Sequence, residues 1–149
     1  MAGHNDIRDE LAKQLESSRI SEEQITTEHH INPPRKVGTG RVDVVWKFNN
    51  KSSAKGVAFE VKTRLPSQSK VHVRMDAVRQ LHRAGLAGYY PVLISDRTLW
   101  ADESGSVSSL KRLVRALDAT YVEMEDDPIE FSILHDMLLT DVNIPECLI

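Results

Sequence analysis

The sequence predicts a mixed α/β domain, a central sheet flanked by helices, with elements in the order α-β-β-β-α-β-α-β-α. Three observations carry this reading. Near the amino terminus, and again over residues 107–117, apolar residues recur at helical spacing on one stripe. Residues 41–48 and 56–63 alternate in the manner of half-buried strands. The continuous run Val92-Leu93-Ile94 reads as a strand buried on both faces.

Each element follows from its residues. The first helix is expected near residues 5–18, with Ile7, Leu11 and Leu15 forming the stripe, Asn5 or Asp6 as cap, and SSRIS ending it. A short strand around Ile25–His30 is rich in β-branched residues. Pro33 and Pro34 remove two backbone donors, so a loop runs through Gly38 and Gly40. Strand Arg41–Phe48 sets Val42, Val44, Trp46 and Phe48 on one face, with Arg41, Asp43, Val45 and Lys47 on the other. A polar hairpin loop, Asn49–Lys55, leads to strand Gly56–Thr63, where Phe59 and Val61 oppose Ala58, Glu60 and Lys62. A loop over Arg64–Lys70 precedes a helix near residues 74–84 closed by Gly85, then the strand Tyr89–Ser95. Helix 107–117, a short strand Thr120–Glu123 and a helix near Pro128–Leu139, begun by Pro128, complete the chain. The whole reads as one domain, residues 1–149, with a core over about 5–97 and an α-rich extension over about 98–149.

Composition bounds the function. The 149 residues suffice for a core without staples. No apolar run approaches the roughly 20 residues of a membrane span, and MAGHNDIRDE lacks the pattern of a signal peptide. The single cysteine, Cys147, excludes an internal disulfide framework and argues against a Cys-rich zinc site. A cytoplasmic protein without a membrane partner is expected.

The net charge of -3 conceals strong polarisation. Residues 1–34 carry 3 Lys/Arg against 7 Asp/Glu, residues 35–83 carry 12 against 3, and residues 84–149 carry 4 against 12. The middle segment, at +9, can present a positive surface to a polyanion, although basic residues also solvate strands and loops. Its only acidic residues are Asp43, Glu60 and Asp76.

Two of those belong to a chemical constellation. Side chains alternate along a strand, so Glu60 and Lys62 share a face, about 7 Å apart. Pairing with the preceding strand would bring Asp43 beside Glu60. Two carboxylates suit Mg²⁺, which leaves water and phosphate oxygens to complete its octahedron. The metal would polarise a phosphate and acidify a bound water, while an amine orients that water or offsets developing charge. Asp followed by Glu-x-Lys is common by chance, and a surface salt bridge is the alternative. Its placement on consecutive strands, between a first helix and a second helix with its buried strand, gives the trio its weight.

The order resembles the PD-(D/E)xK nucleases, with their restriction-endonuclease-like fold, and among them the archaeal-type Holliday junction resolvases. The matching pieces are DIRDELAKQLESS, VGTGRVDVVW, VAFEVKT, AVRQLHRAG and YYPVLIS, over roughly residues 5–97. The resemblance implies a Mg²⁺- or Mn²⁺-dependent DNA endonuclease, structure-selective on branched DNA and dimeric, with one site for each strand. It implies that Asp43, Glu60 and the Val61 carbonyl bind metal, that Lys62 assists the attacking water, and that a first-helix glutamate, matched by Glu10, takes part. A restriction or defence nuclease acting on duplex DNA, and a non-catalytic DNA-binding subunit of the same fold, are the alternatives.

Further candidates surround this centre. Glu10 flanks the apolar stripe, as a ligand of a second metal or as a solvated carboxylate. Gln80, on the helix after the catalytic strands, is either a site residue or an exposed helix glutamine. Arg35, Lys36 and Arg41 precede Asp43 on a Gly-containing loop suited to backbone phosphates. Lys70, Arg74, Arg79 and Arg83 would continue that track, Arg79 and Arg83 from one helical face. His29 and His30 point to opposite strand faces and cannot form one site. Trp46 and Trp100 read as core, and the acidic, apolar tail Glu123 to Ile149 as a segment that folds back, packs a subunit or shields the basic face.

Overall fold

The computed structural model describes residues 4–17, 25–31, 40–47, 55–63 and 69–124, which build a five-stranded mixed sheet flanked by helices. In chain order these are α1 (His4–Ser17), β1 (Ile25–Ile31), β2 (Gly40–Lys47), β3 (Gly56–Lys62), α2 (Lys70–Leu86), β4 (Tyr89–Asp96), α3 (Arg97–Trp100), α4 (Ser108–Ala116) and β5 (Thr120–Met124). The sheet order is β1-β2-β3-β4-β5. β1, β2 and β3 are antiparallel neighbours, whereas β3, β4 and β5 run parallel. Parallel neighbours need crossovers, and α2 supplies the first, α3 with α4 the second.

Register decides which residues α2 covers. Glu60 is level with Leu93 and Lys62 with Ser95, so the four share one face. Leu93 packs with Val73, Ala77 and Leu81 of α2 and with Leu99, Trp100, Leu110 and Val114, which makes this the larger core. Ala58, two positions before Glu60, packs with Ala84 and Ala87. α2 therefore lies over the face that carries Glu60. α1 packs across β1, β2 and β3 through buried Ile7, Leu11 and Ala12.

The coarse expectation of a mixed central sheet with flanking helices matches the structure, while both ends of α2 differ and one short helix is added. α2 begins at Lys70, one turn before the expected 74, inside the segment read as loop. Val71 and Val73 are β-branched and weak helix formers, but burial of Val73 in the larger core outweighs that small helical penalty. Gly85 does not close α2 but sits in its last turn; the closing residue is Gly88, at φ +96°, whose N–H donates to Gly85 O at 3.1 Å. The one-turn helix α3 was not expected. Asp96 caps it, its Oδ1 accepting from the Thr98 N–H at 2.9 Å and the Thr98 hydroxyl at 3.0 Å. The expected Pro128–Leu139 helix, His135 and Cys147 lie outside the described residues, as do the side chains of His29 and His30. Among the described residues, no helix is long and apolar enough to cross a membrane.

Two glycines give a contrasting test. A Cβ on Gly56 would overlap the Trp46 carbonyl oxygen and come within 2.9 Å of Lys47 Cα, both fixed backbone of the paired strand. A Cβ on Gly85 would meet nothing within 4 Å. Gly56→Ala is expected to destabilise the fold by about 2 kcal/mol or more through displacement of β3 against β2. Gly85→Ala should stabilise it by about 0.5–1 kcal/mol through helix propensity. Urea denaturation of both variants checks the pair of signs; equal effects would contradict this strand packing.

Candidate functional site

The β2–β3 ladder runs from Lys47 opposite Gly56 to Val44 opposite Phe59 and ends there. Continued by one step, it would place Asp43 opposite Glu60. Across the opening the strands are linked instead by the carboxylates of Asp43 and Glu60, each accepting from a main-chain N–H of the other strand. The Asp43 N–H donates to Glu60 Oε1 at 3.3 Å, and the Val61 N–H donates to Asp43 Oδ2 at 2.7 Å. Two main-chain donors beside the opening are thus taken by carboxylates, and the carboxylates are held by the strands they separate. On its other edge β3 stays paired with β4 as far as Lys62 opposite Ser95.

Burial sets the electrostatics. Glu60 is 1 % exposed, and its Oε2 is sealed from solvent with no hydrogen-bond partner. Lys62 Nζ lies 3.9 Å from that oxygen, near enough for attraction but too far for a hydrogen bond. The Glu60 carboxyl is pushed well above its ordinary value of 4.5, first by burial and then by the negative charge of Asp43, with Lys62 offsetting only part. A cation reaching Oε2 would supply the missing partner and reverse that shift.

Lys62 is fixed from behind. Ser95 is fully buried; its hydroxyl donates to the Lys62 carbonyl at 2.9 Å and accepts from Trp100 Nε1 at 2.8 Å. α3, which carries Trp100, is tied to α2 by Arg74 Nε, which donates to the Leu99 carbonyl at 2.7 Å. Trp100 is core, as expected, and is also a donor in this relay.

The predicted residues fall into groups. Asp43, Glu60, Lys62 and Val61 come together. Val61 meets Asp43 through its N–H, and since a strand residue points its N–H and C=O to the same side, its carbonyl faces the β2 side too. Gln80 is partly buried on α2, its Oε1 sealed and unpartnered beside Ala77 and Ala84 in sequence. Glu10 is partly buried on α1. Among the described residues no group of three or more His, Cys, Asp or Glu side chains is placed to hold a metal, so Glu10 is not drawn into one set with Asp43 and Glu60.

The basic residues are dispersed in role. Lys70 is exposed at the start of α2, and Arg83 is half-buried in its last turn. Arg79 is exposed, 3.7 Å from Asp76, and Arg41 lies 3.6 Å from Glu28. Arg74, expected on the phosphate track, gives its Nε to α3. Arg35 and Lys36 lie outside the described residues. A groove of about 590 Å³ between α2 and α4, lined by Met75, Val78, Trp100, Leu110 and Leu113, includes none of Asp43, Glu60 and Lys62.

Three residues at or near the site escaped the sequence reading: Arg8, Glu28 and Ser95. Arg8 Nη1 donates to Glu28 Oε1 at 2.7 Å, and the negative charge of Asp43 also acts on Arg8. Ser95 carried one available signal, a lone hydroxyl ending an apolar run that is otherwise buried. No family model, curated protein or solved structure matches the chain.

The Glu60 shift has a pH signature. A carboxyl whose folded value exceeds its unfolded value contributes stability that is complete below the unfolded value and is lost as pH rises through the folded one. The metal-free protein should therefore melt at progressively lower temperature as pH rises above 4.5, and Glu60→Gln should remove most of that slope. Thermal denaturation over a pH series checks this; parallel slopes for wild type and variant would show that Glu60 ionises as readily folded as unfolded.

Proposed function

We propose that the chain is a divalent-metal-dependent DNA endonuclease of the PD-(D/E)xK type, with a restriction-endonuclease-like fold and a preference for branched DNA like that of archaeal-type Holliday junction resolvases. The observation that carries this reading is the carboxylate pair between parting strands, with a buried, unpartnered oxygen facing a lysine. A carboxylate in that setting is destabilising until a cation or proton reaches it.

The donor set fits a hard dication. Asp43 and Glu60 would hold Mg²⁺ or Mn²⁺, with the Val61 carbonyl as a neutral oxygen on the same side, and water and phosphate oxygens would fill the remaining positions. When bound, the ion polarises a phosphate oxygen and acidifies a water. The chain's own contribution is placement. The Val61 N–H orients the Asp43 carboxylate, and the Asp43 N–H orients Glu60, so neither has to reorganise. Glu60 acts as a ligand in its ionised form, so the upward push on its carboxyl couples cation binding to proton release. Lys62, its backbone fixed by Ser95 and Trp100, brings a cationic donor to orient the attacking water or to offset charge on the phosphate.

Arg41, Lys70, Arg79 and Arg83, with Arg35 and Lys36, would contact backbone phosphates, which position a duplex without reading its sequence. A two-fold dimer would give each strand of a junction its own site.

Cleavage of a labelled panel (four-way junction, flap, plain duplex, single strand, RNA) in Mg²⁺ tests this. Junction cutting is expected, with Asp43→Ala, Glu60→Ala and Lys62→Ala each lowering the rate on the order of 10²–10³-fold or more while binding persists. Preferential cutting of plain duplex would move the protein to the restriction or defence type. No cutting of any substrate, with wild type and variants binding alike, would sink the enzyme reading and leave a DNA-binding subunit.

A further inference from the structure

The strand next to the site contains an outlier. Glu28 stands inside β1 with φ of +49°, a left-handed backbone that costs a residue other than glycine free energy and persists only where its surroundings impose it. On either side of it β1 and β2 keep one register, Thr27 opposite Val44 and His29 opposite Val42. The skipped position is Glu28 opposite Asp43. No residue is inserted or lost, so the interruption is a local rotation of the chain rather than a slip. The gap in the β1–β2 register therefore falls at the level of Asp43, which also lies one step beyond the last β2–β3 pair.

The Glu28 side chain is used. Its Oε1 accepts from Arg8 Nη1 at 2.7 Å, and its Oε2 lies 3.6 Å from Arg41 Nη1. Arg8, which comes from α1, has a side chain only 15 % exposed, and its Nε donates to Asp9 Oδ1 at 2.9 Å. Glu28 thus joins a helix cation and a strand cation at the level of Asp43. A backbone that needed only to turn would be served by glycine. A glutamate held left-handed, with its carboxylate between two arginines, points to the side chain.

We propose that Glu28 and Arg8 are positioning residues for Asp43: left-handed Glu28 opens the β1–β2 ladder beside Asp43 and anchors the Arg8 guanidinium there, so that the carboxylate is held ready for a divalent cation. This rests on the reading of Asp43 and Glu60 as cation ligands. β1 is an edge strand of the sheet, and interruptions also protect edges from pairing with other chains. Edge protection gives no reason for the two arginine contacts and would leave cation binding unchanged.

The test compares wild type, Glu28→Gly, Glu28→Gln and Arg8→Gln, measuring melting temperature without metal and Mn²⁺ binding by calorimetry, neither of which needs a substrate. Glycine accepts the left-handed backbone that glutamine must strain to adopt, so Glu28→Gly is expected to melt about 2–4 °C above Glu28→Gln. All three variants should bind Mn²⁺ about 10-fold more weakly, the loss typical of residues that orient a metal ligand. Wild-type Mn²⁺ affinity in the variants, or equal melting of the two Glu28 variants, overturns the inference and leaves the ligand reading standing. Absence of Mn²⁺ binding by the wild type overturns the ligand reading, and this inference with it.

Discussion

Where β2 and β3 stop pairing, the N–H groups of Asp43 and Val61 go to carboxylates instead of carbonyls. The surrounding structure answers that substitution. A buried main-chain donor without an acceptor costs about as much as a lost hydrogen bond, so strands that part inside a fold need replacement acceptors. Carboxylates serve well for the donors but bring charge into a dry place. Glu60 shows the conflict: one oxygen is satisfied by the Asp43 N–H, the other has no hydrogen bond, and the carboxyl holds its proton above the ordinary range. α2 seals the face above it, and the parallel ladder with β4 prevents β3 from moving away.

Charge in this segment is shared between structure and any partner. The +9 of residues 35–83 suggests a broad positive face. In the fold Arg74 serves as a strut between α2 and α3, Arg41 approaches Glu28, and Arg79 approaches Asp76. The latter two are loose, half-exposed pairs of the kind that contributes about 1 kcal/mol or less, so a phosphate can compete for them. Arg74 differs, because its bond to the Leu99 carbonyl holds α3, and with it the Trp100–Ser95 relay behind Lys62. On the proposed reading, loss of Arg74 would disturb the site through its supports, whereas loss of Lys70 would act only through contact with nucleic acid.

What the sequence revealed follows from the physics of each feature. Strand alternation has a fixed period of two, so the shared face of Glu60 and Lys62, and the possibility of Asp43 beside them, were legible before any fold. Glu60 being level with Leu93, and hence lying beneath α2, was not, because register between distant strands is set by packing. The early start of α2 was hidden because Val71 and Val73 carry strand propensity, which burial of Val73 overrode. Asp96-Arg97-Thr98 held a readable capping signal for α3, lost in the apolar run before it. Glu28 could not have been found by pattern, since a left-handed glutamate violates the local preference on which sequence reading depends.

Sequence-level rules tend to fail where a structure is strained for a purpose. Here the departures gather around one residue. β1 turns left-handed opposite Asp43, the β2–β3 ladder ends just before Asp43, and the neighbouring Glu60 keeps a buried oxygen without a hydrogen bond. Any one of them could be tolerated as an isolated imperfection costing about 1–3 kcal/mol. Together on adjacent positions of three strands they fall outside the packed alternation that stabilises the remainder of the sheet, and none contributes apolar burial. A purely structural sheet would gain by closing both ladders with valine at position 43 and an apolar residue at position 60, as it does at Val45 and Ala58 two positions away. On the proposed reading a ligand absent from the polypeptide would restore the balance, and the chemistry of the opening, two carboxylates beside a lysine, suits a cation that can be shared with a phosphate.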